Sequence, residues 1–492
     1  MKTNTDWKKL AGPLICLYVF GMAFLIMMQS NMNPVHTMLP NVDSGVFHYV
    51  ASVMKDGGLM YRDTFDHKGP LLYAINYAGM LLHYYSGAWF LEFLCILAWA
   101  GCTYRTARLF CGRVGSCFTV FLSTTAVLSC FLGGGYPESY SLCCISGALY
   151  IFSDYYLNQK ISRLRLVVCG GLMGCVLMLK PNLISVWLVF CISSIILKLM
   201  NREVKELLSL MGFFILGLCG VLLPFLLYLV SKGILGDFIN TYILFNLTYS
   251  GDAAAGSGVV VMARDFTREL LTPTLILLLL ALRTKMNRPY WWTCLAYTVL
   301  TLVLCCMSGS DYVYYRLVLV PCFAAPMAAF LGGFDREKRL VQVLLVLGIT
   351  VFAQSWVPYV RQCLYHFKHM STEVDLGDEE HRELFRLIEE KLDEDEPFIV
   401  YGNEDAFYYY SHRMAASRYS FQYPVILMDE EIREEFFQEV EENQPKLILV
   451  QSQWCEDQFI TEFLETHPYE CITDLENYAL YQREGTTASR YR

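Results

Sequence analysis

Hydrophobic residues along this chain come in long runs that polar residues interrupt at nearly regular intervals. Runs such as Leu14–Gln29, Leu207–Val230 and Leu340–Val357 approach or reach the roughly 20 apolar residues that cross a bilayer core. Runs and breaks together predict about eleven spans, near 11–29, 88–110, 115–132, 138–156, 164–180, 183–200, 207–230, 262–283, 289–307, 315–333 and 338–357. Past residue 360 the long runs stop and Asp and Glu become dense. The chain therefore reads as a transmembrane domain over 1–360 and a soluble domain over 361–492.

Two further stretches carry pattern. The loop 30–87 is too long for a plain connector. Within it Val46, Val50, Val53 and Met54 share one face at helical spacing, between Asp43 and Gly57-Gly58, which predicts an amphipathic helix along the membrane surface. A second surface helix is expected over Pro70–Tyr85, opened by its proline. In the soluble part, Pro397–Gly402, Pro424–Met428 and Lys446–Val450 read as strands, separated by charged helices near 376–392, 429–442 and 455–466. That alternation predicts a small, mostly parallel α/β sheet.

Charge placement sets an orientation. Alternate connections carry three basic residues each: Lys2/Lys8/Lys9, Arg105/Arg108/Arg113, Lys160/Arg163/Arg165, Lys198/Arg202/Lys205, Arg283/Lys285/Arg288 and Arg336/Lys338/Arg339. The positive-inside rule puts these in the cytoplasm. Loops 30–87, 133–137, 181–182, 231–261 and 308–314 then face outward, and so does the tail. The N-terminus resembles a signal sequence, but no A-x-A cleavage site follows its long apolar run, so it is read as an uncleaved first span.

Composition agrees with a membrane protein: 55% of the 492 residues are apolar and 17% charged, against about 25% charged in soluble domains. The net charge of −9 arises mostly in the tail, and no basic patch with interleaved aromatics points to nucleic acid. All of the 19 cysteines except Cys363, Cys455 and Cys471 lie in or beside apolar runs, without metal or disulfide spacing.

Candidate chemistry gathers on the outward side. The first loop holds Asp43, Arg62, Asp63, Asp66, His67 and Lys68. The turn GGGYPES adds Glu138, the end of the fifth span adds Lys180, and SGSDYVYYR adds Asp311, Tyr312, Tyr315 and Arg316. Ionisable groups near membrane depth are costly, which makes them functional candidates. Each has a structural alternative. Asp43 is placed to cap a helix, and Lys180 to snorkel from a span end. Arg62 could pair with Asp63 or Asp66, and the tyrosines could belong to an interfacial aromatic belt.

The first loop resembles that of the GT-C superfamily of membrane glycosyltransferases, which includes the protein O-mannosyltransferases and the lipid A aminoarabinose transferase. The resemblance rests on Asp43, a following surface helix, and Tyr61-Arg-Asp-Thr-Phe-Asp-His-Lys68-Gly-Pro-Leu71. Glu138 after a glycine run, Lys180-Pro181, Tyr401-Gly-Asn-Glu404 and Ala416-Ser-Arg-Tyr419 extend it along nearly the whole chain. Two positions depart from the family pattern: Tyr314 stands where relatives carry His, and Gly69-Pro70 replaces two prolines. The turn also lacks a second acidic residue beside Glu138.

The resemblance implies an α-helical polytopic GT-C-like fold with a small extracytoplasmic α/β domain. It also implies direct, inverting displacement of a sugar from a polyprenyl-phosphate donor onto an extracytoplasmic glycan, lipid or protein. By the same resemblance Lys68 would hold the donor phosphate; Arg62 and Arg316 are weaker candidates, since Arg can grip phosphate bidentately. Asp43 would be the base and Glu138 a second carboxylate. Asp63, Asp66, His67, Lys180, Tyr312 and Tyr315 would support them. No cofactor is required by the sequence; Asp63-x-x-Asp66-His67 is the one grouping that could offer oxygen and imidazole to a divalent metal. A bacterial cell membrane is the expected location. The rival readings are a flippase or other transporter, which needs polar residues at mid-membrane, and a polymerase or ligase of lipid-linked glycans.

Overall fold

The computed structural model describes residues 4–248, 271–282, 287–307, 312–333, 338–423 and 425–485. Asp311, Lys2, Arg283, Lys285, Arg336, Pro424, residues 249–261 of the fourth outward loop and residues 262–270 of the eighth predicted span lie outside these.

A helix stands over the described part of every predicted span. The first nine helices are α1 (Asn4–Met27), α2 (Val42–Lys55), α3 (Pro70–Leu82), α4 (Gly87–Arg108), α5 (Arg113–Leu128), α6 (Pro137–Asn158), α7 (Arg163–Leu177), α8 (Ser185–Met200) and α9 (Val204–Ser231). Thr272–Leu282, Arg288–Cys306, Val313–Gly332 and a helix from Lys338 to Lys368, interrupted by a π-type stretch at Phe352–Trp356, stand over the remaining predicted spans. Among the described residues six helices are long and apolar enough to cross a membrane. Leu216, Leu223 and Leu227 of α9 stay exposed, an apolar face of the kind a membrane covers. The chain is a multi-pass membrane protein.

It divides into two compact units. The first comprises Met1–Val35, Trp89–Tyr228 and Ser250–Met370; the second comprises His36–Ala88, Leu229–Tyr249 and Ser371–Arg492. The first outer loop thus groups with the tail.

In the first unit, Trp187, Phe190, Tyr290, Tyr297 and Leu278 form part of the main core. Helices α7 and α9 approach to backbone contact: a Cβ on Gly170 would lie 1.9 Å from the Phe214 carbonyl, and one on Gly217 would lie 1.8 Å from that of Val167. Small residues four apart, Gly170 and Gly174, permit this in the way typical of membrane helices. Hydroxyl pairs such as Ser185–Thr301 and Ser153–Tyr290, each at 2.8 Å, tie further helices together.

In the second unit, strands β1 (Ile399–Tyr401), β2 (Leu447–Gln451), β3 (Tyr469–Asp474) and β4 (Tyr478–Arg483) form one sheet in the order β1-β2-β4-β3. Only β1 and β2 run parallel; β2–β4 and β3–β4 are antiparallel, which corrects the expectation of a mostly parallel sheet. The expected strand at Pro424–Met428 is also corrected: Val425–Met428 is a helical turn, with the Ile426 amide donating to the Gln422 carbonyl. Four apolar residues in a row fit a strand or a buried helical turn equally well, so pattern alone could not separate them. The β3–β4 hairpin was not legible because β3 (Tyr-Glu-Cys-Ile-Thr-Asp) is largely polar and partly exposed. The three charged helices do form, at Glu379–Lys391, Glu430–Asn443 and Gln458–Thr466, each capped by the aspartate before it: Asp378, Asp429 and Asp457.

Helix α2 is buried from Ser44 through Val53. The faces not covered by α3 are taken by the tail: Tyr49 packs 5.0 Å from Tyr408, and its hydroxyl accepts the Ala415 amide at 2.8 Å. Leu384, Phe385, Phe398, Leu449 and Leu480 extend the same core, so the sheet and α2 share one apolar interior.

Candidate functional site

The candidate residues fall into two groups, one in each unit. In the second unit the stretch from Tyr61 to Lys68 is a tightly held turn. Tyr61 adopts φ of 68°, unusual for an aromatic residue. The rings of Tyr73 (5.6 Å) and Phe238 (5.7 Å) hold it edge-on, and its hydroxyl donates to the Lys68 carbonyl at 2.8 Å. Asp63 Oδ2 accepts the Leu59 amide at 2.6 Å and so closes the preceding turn. Arg62 pairs with Asp237 at 2.9 Å, not with Asp63 or Asp66, and its guanidinium also donates to the Gly233 carbonyl.

Asp66 is 3% exposed. It accepts the Tyr73 hydroxyl at 2.7 Å and the His67 amide at 2.8 Å. Burial raises its pKa; the nearby Lys68 charge and these two hydrogen bonds pull it down, and Asp43 pushes it up again. Lys68 Nζ lies 2.5 Å from His67 Nε2, so an ammonium there donates to an imidazole whose Nε2 carries no proton. The Asn246 side chain donates to the His67 carbonyl at 2.7 Å, and the Tyr73 hydroxyl accepts the Lys68 amide at 3.1 Å. Backbone and side chains of 66–68 are thus fixed together. The turn presents a half-buried cation, an imidazole and a buried carboxylate.

Asp43 sits in the first turn of α2, half-buried. The N-cap is Asn41, so Asp43 is not the capping residue. The tail reaches the turn from Tyr61 to Lys68, because the Phe65 amide donates to the Arg418 carbonyl at 2.8 Å and the Phe65 ring lies 5.2 Å from Tyr419. It also brings a carboxylate that sequence reasoning missed. Asp405 is 0% exposed, and its Oδ2 accepts the Ser420 hydroxyl at 2.5 Å. Among the described residues its Oδ1 has no hydrogen-bond partner. Burial raises its pKa to about 7, and the charge of Asp66 adds to the rise. Tyr73, Asn246 and Asp405 carry no signal in the sequence, since nothing in their spacing tells that they meet residues 66–68 or the loop beside them. Among the described residues no group of three His, Cys, Asp or Glu could hold a metal, so Asp63-x-x-Asp66-His67 gains no further ligand there.

The second group lies in the first unit. Glu138, 1% exposed, accepts Lys180 Nζ at 2.6 Å. The ammonium also lies 3.8 Å from the centre of the Tyr315 ring, a cation–π contact. Lys180 is therefore a half-buried, paired cation and not a snorkelling one. Tyr314 stacks on Tyr136 at 3.9 Å, and Tyr312 stacks on Tyr314 at 5.4 Å. The ring at 314 thereby braces the residue before Pro137-Glu138. Arg316 lies half-buried in the 3-10 turn Val313–Leu319.

The sequence model of the family described as "Putative competence-induced protein Ccs4 N-terminal domain" matches residues 8–337. No curated protein matches the chain in sequence. In structure it is similar to ArnT from Cupriavidus metallidurans bound to undecaprenyl phosphate, with a TM-score of 0.64 and 14% identity over 98% of this chain and 100% of that one. The apo state of the same protein gives 0.61 and 13%, over the same shares of the two chains. The oligosaccharyltransferase AglB from Archaeoglobus fulgidus, in complex with an inhibitory peptide and a dolichol-phosphate, gives 0.52 and 11% over 97% and 75%. ArnT (lipid A aminoarabinose transferase) and AglB are members of the GT-C superfamily. The fold of this chain is the GT-C fold.

Proposed function

The chain belongs to the competence-induced Ccs4 N-terminal domain family, and from its fold we propose that it is a membrane glycosyltransferase. It moves a hexosyl or pentosyl group from a polyprenyl-phosphate donor to an acceptor outside the cytoplasm. The observation that carries the reading is the turn 66–68, where a cation, an imidazole and a buried carboxylate are fixed by Tyr61, Tyr73 and Asn246. A fold similar over its whole length to a protein solved with undecaprenyl phosphate supports it.

In this reading the acceptor hydroxyl attacks the anomeric carbon while the bond from that carbon to the donor phosphate breaks, with inversion. The acceptor proton passes to Asp43, and the polyprenyl phosphate leaves as an anion. Lys68 stabilises the charge that develops on the leaving oxygen, the term that weighs most in such steps. Asp66 and His67 keep the Lys68 ammonium in place. Glu138 orients acceptor or sugar, and Arg316 is a further cation for phosphate. Arg62 is already paired with Asp237 and takes the smaller share. The protein sits in a bacterial cell membrane with its N-terminus inside and its first loop and tail outside.

The test is sugar transfer by the full chain in lipid, with a panel of polyprenyl-phosphate sugars and with or without a chelator. Lys68→Ala and Asp43→Asn should stay folded and lose donor consumption by about a hundredfold or more, the scale of a lost oxyanion or acid–base group. Loss on adding chelator would assign a metal to the reaction. Variants that match wild type would remove both residues from it, and lipid-linked sugar that crosses the bilayer without being consumed would favour a flippase.

A further inference from the structure

Glu138 stands directly after one of the least ordinary turns in the protein. Leu132, Gly133, Gly134 and Gly135 all have positive φ, of 40°, 83°, 76° and 84°. Only Leu132 is sterically disfavoured there, but the three glycines lose the most backbone freedom of any residue type when fixed, so the turn needs outside contacts to hold one shape. The turn is tied from outside by a residue the candidate site does not contain.

Glu92, on α4, is 0% exposed and lies within a membrane span. Its Oε1 accepts the Gly135 amide at 2.9 Å and the Ser139 hydroxyl. One carboxylate oxygen thus clasps the residues three before and one after Glu138. The fit is close, since a Cβ on Gly134 would stand 2.8 Å from Glu92 Oε2 and 3.1 Å from Oε1. A buried carboxylate is expensive within a span, and no cation meets this one among the described residues. Its donors come from the turn and the first turn of α6, where backbone amides and the helix dipole favour negative charge.

We propose that Glu92 is the positioning residue of Glu138: it fixes the glycine turn and the start of α6 so that Glu138 meets Lys180. The inference rests on the role given to Glu138 above and assigns it a tether on a different helix. Glu92 itself touches no reacting atom. Its contribution passes through Ser139 and Gly135.

The experiment is a double-mutant cycle on sugar transfer by the full chain in lipid, with a melt of each variant. Glu92→Ala should lower kcat by about a hundredfold, the effect of an ångström-scale misplacement, and leave KM for the donor nearly unchanged. Glu92→Gln keeps the Oε1 acceptor and should restore most of the turnover. The double variant Glu92→Ala/Glu138→Gln should be no slower than Glu138→Gln alone. Should Glu92→Ala fail to fold, Ser139→Ala removes one of the two hydrogen bonds to Glu92 and should lower kcat without moving the melt. Full turnover in that variant or in Glu92→Ala would overturn the inference, as would losses that multiply in the double variant. Full turnover in Glu138→Gln alone would instead strike the role of Glu138, and the tether would fall with it.

Discussion

Asp405 shows how far a single residue's environment departs from its type. The carboxyl is wholly buried with one hydroxyl donor, and burial carries its pKa from the ordinary 3.8 to about 7. The folded state therefore binds a proton between about pH 4 and pH 7 that the unfolded chain has released, so wild-type stability declines as pH rises through that window. Asp405→Asn removes the titration and keeps an acceptor for Ser420. Its melting temperature should exceed that of wild type by a margin that grows from pH 5 to pH 8. A constant margin would show that Asp405 is ionised at both. At this scale the candidate site was half legible. Lys68, Asp66 and His67 could be named from the sequence, whereas Tyr73, Asn246 and Asp405, which fix or crowd them, could not.

Among the elements, the helix Glu379–Lys391 begins with a charge-linked cap. Asp378 accepts the His381 amide at 2.9 Å, and the imidazole lies 2.7 Å from Asp378 and 3.1 Å from Glu404. Hydrogen bonding to Glu404, then to Asp378, raises the His381 pKa to about 9 against burial. The raised value means that this stabilisation is complete below about pH 6.5 and is lost as pH passes 9. His381→Gln should melt below wild type at pH 6, with the gap closing by pH 10. Helices α7 and α9 make the opposite kind of demand, for the absence of a side chain. Gly217→Val drives a methyl-bearing carbon into the Val167 carbonyl. It should cost about 1–3 kcal/mol or more, as overpacking does, seen as a lower melting temperature in detergent. The same substitution at Gly220, where a Cβ meets nothing within 4 Å, should be nearly neutral.

For the whole molecule, the charge pattern of the loops predicts that the tail lies outside the cytoplasm. Cys471 is an exposed thiol on β3 and reports on this directly. In intact cells a membrane-impermeant maleimide should label it before lysis. Labelling only after lysis would invert the orientation and, with it, the side on which an acceptor must be sought. The grouping of residues 36–88 with 371–492 in one unit gives the tail a structural part in the first loop, since Phe65, Tyr49 and α2 all pack on it. Changes in the tail core should therefore disturb the turn at 66–68 as well as the sheet.

By itself the sequence determined that the chain is a multi-pass membrane protein, where its apolar helices lie, and that an α/β tail follows. Those properties depend on local composition and period, which residues close in the chain express on their own. It also made Asp43, Lys68 and Glu138 candidates, because their types and spacing form a motif. Tertiary structure alone decided what those residues meet. The Glu138–Lys180 pair joins positions in different helices, the Arg62–Asp237 pair reaches across the chain, and the clasp of Glu92 on the glycine turn joins α4 to α6. Pairing of that kind depends on how helices and strands pack. The direction of β4 was decided the same way, by its pairing with β2.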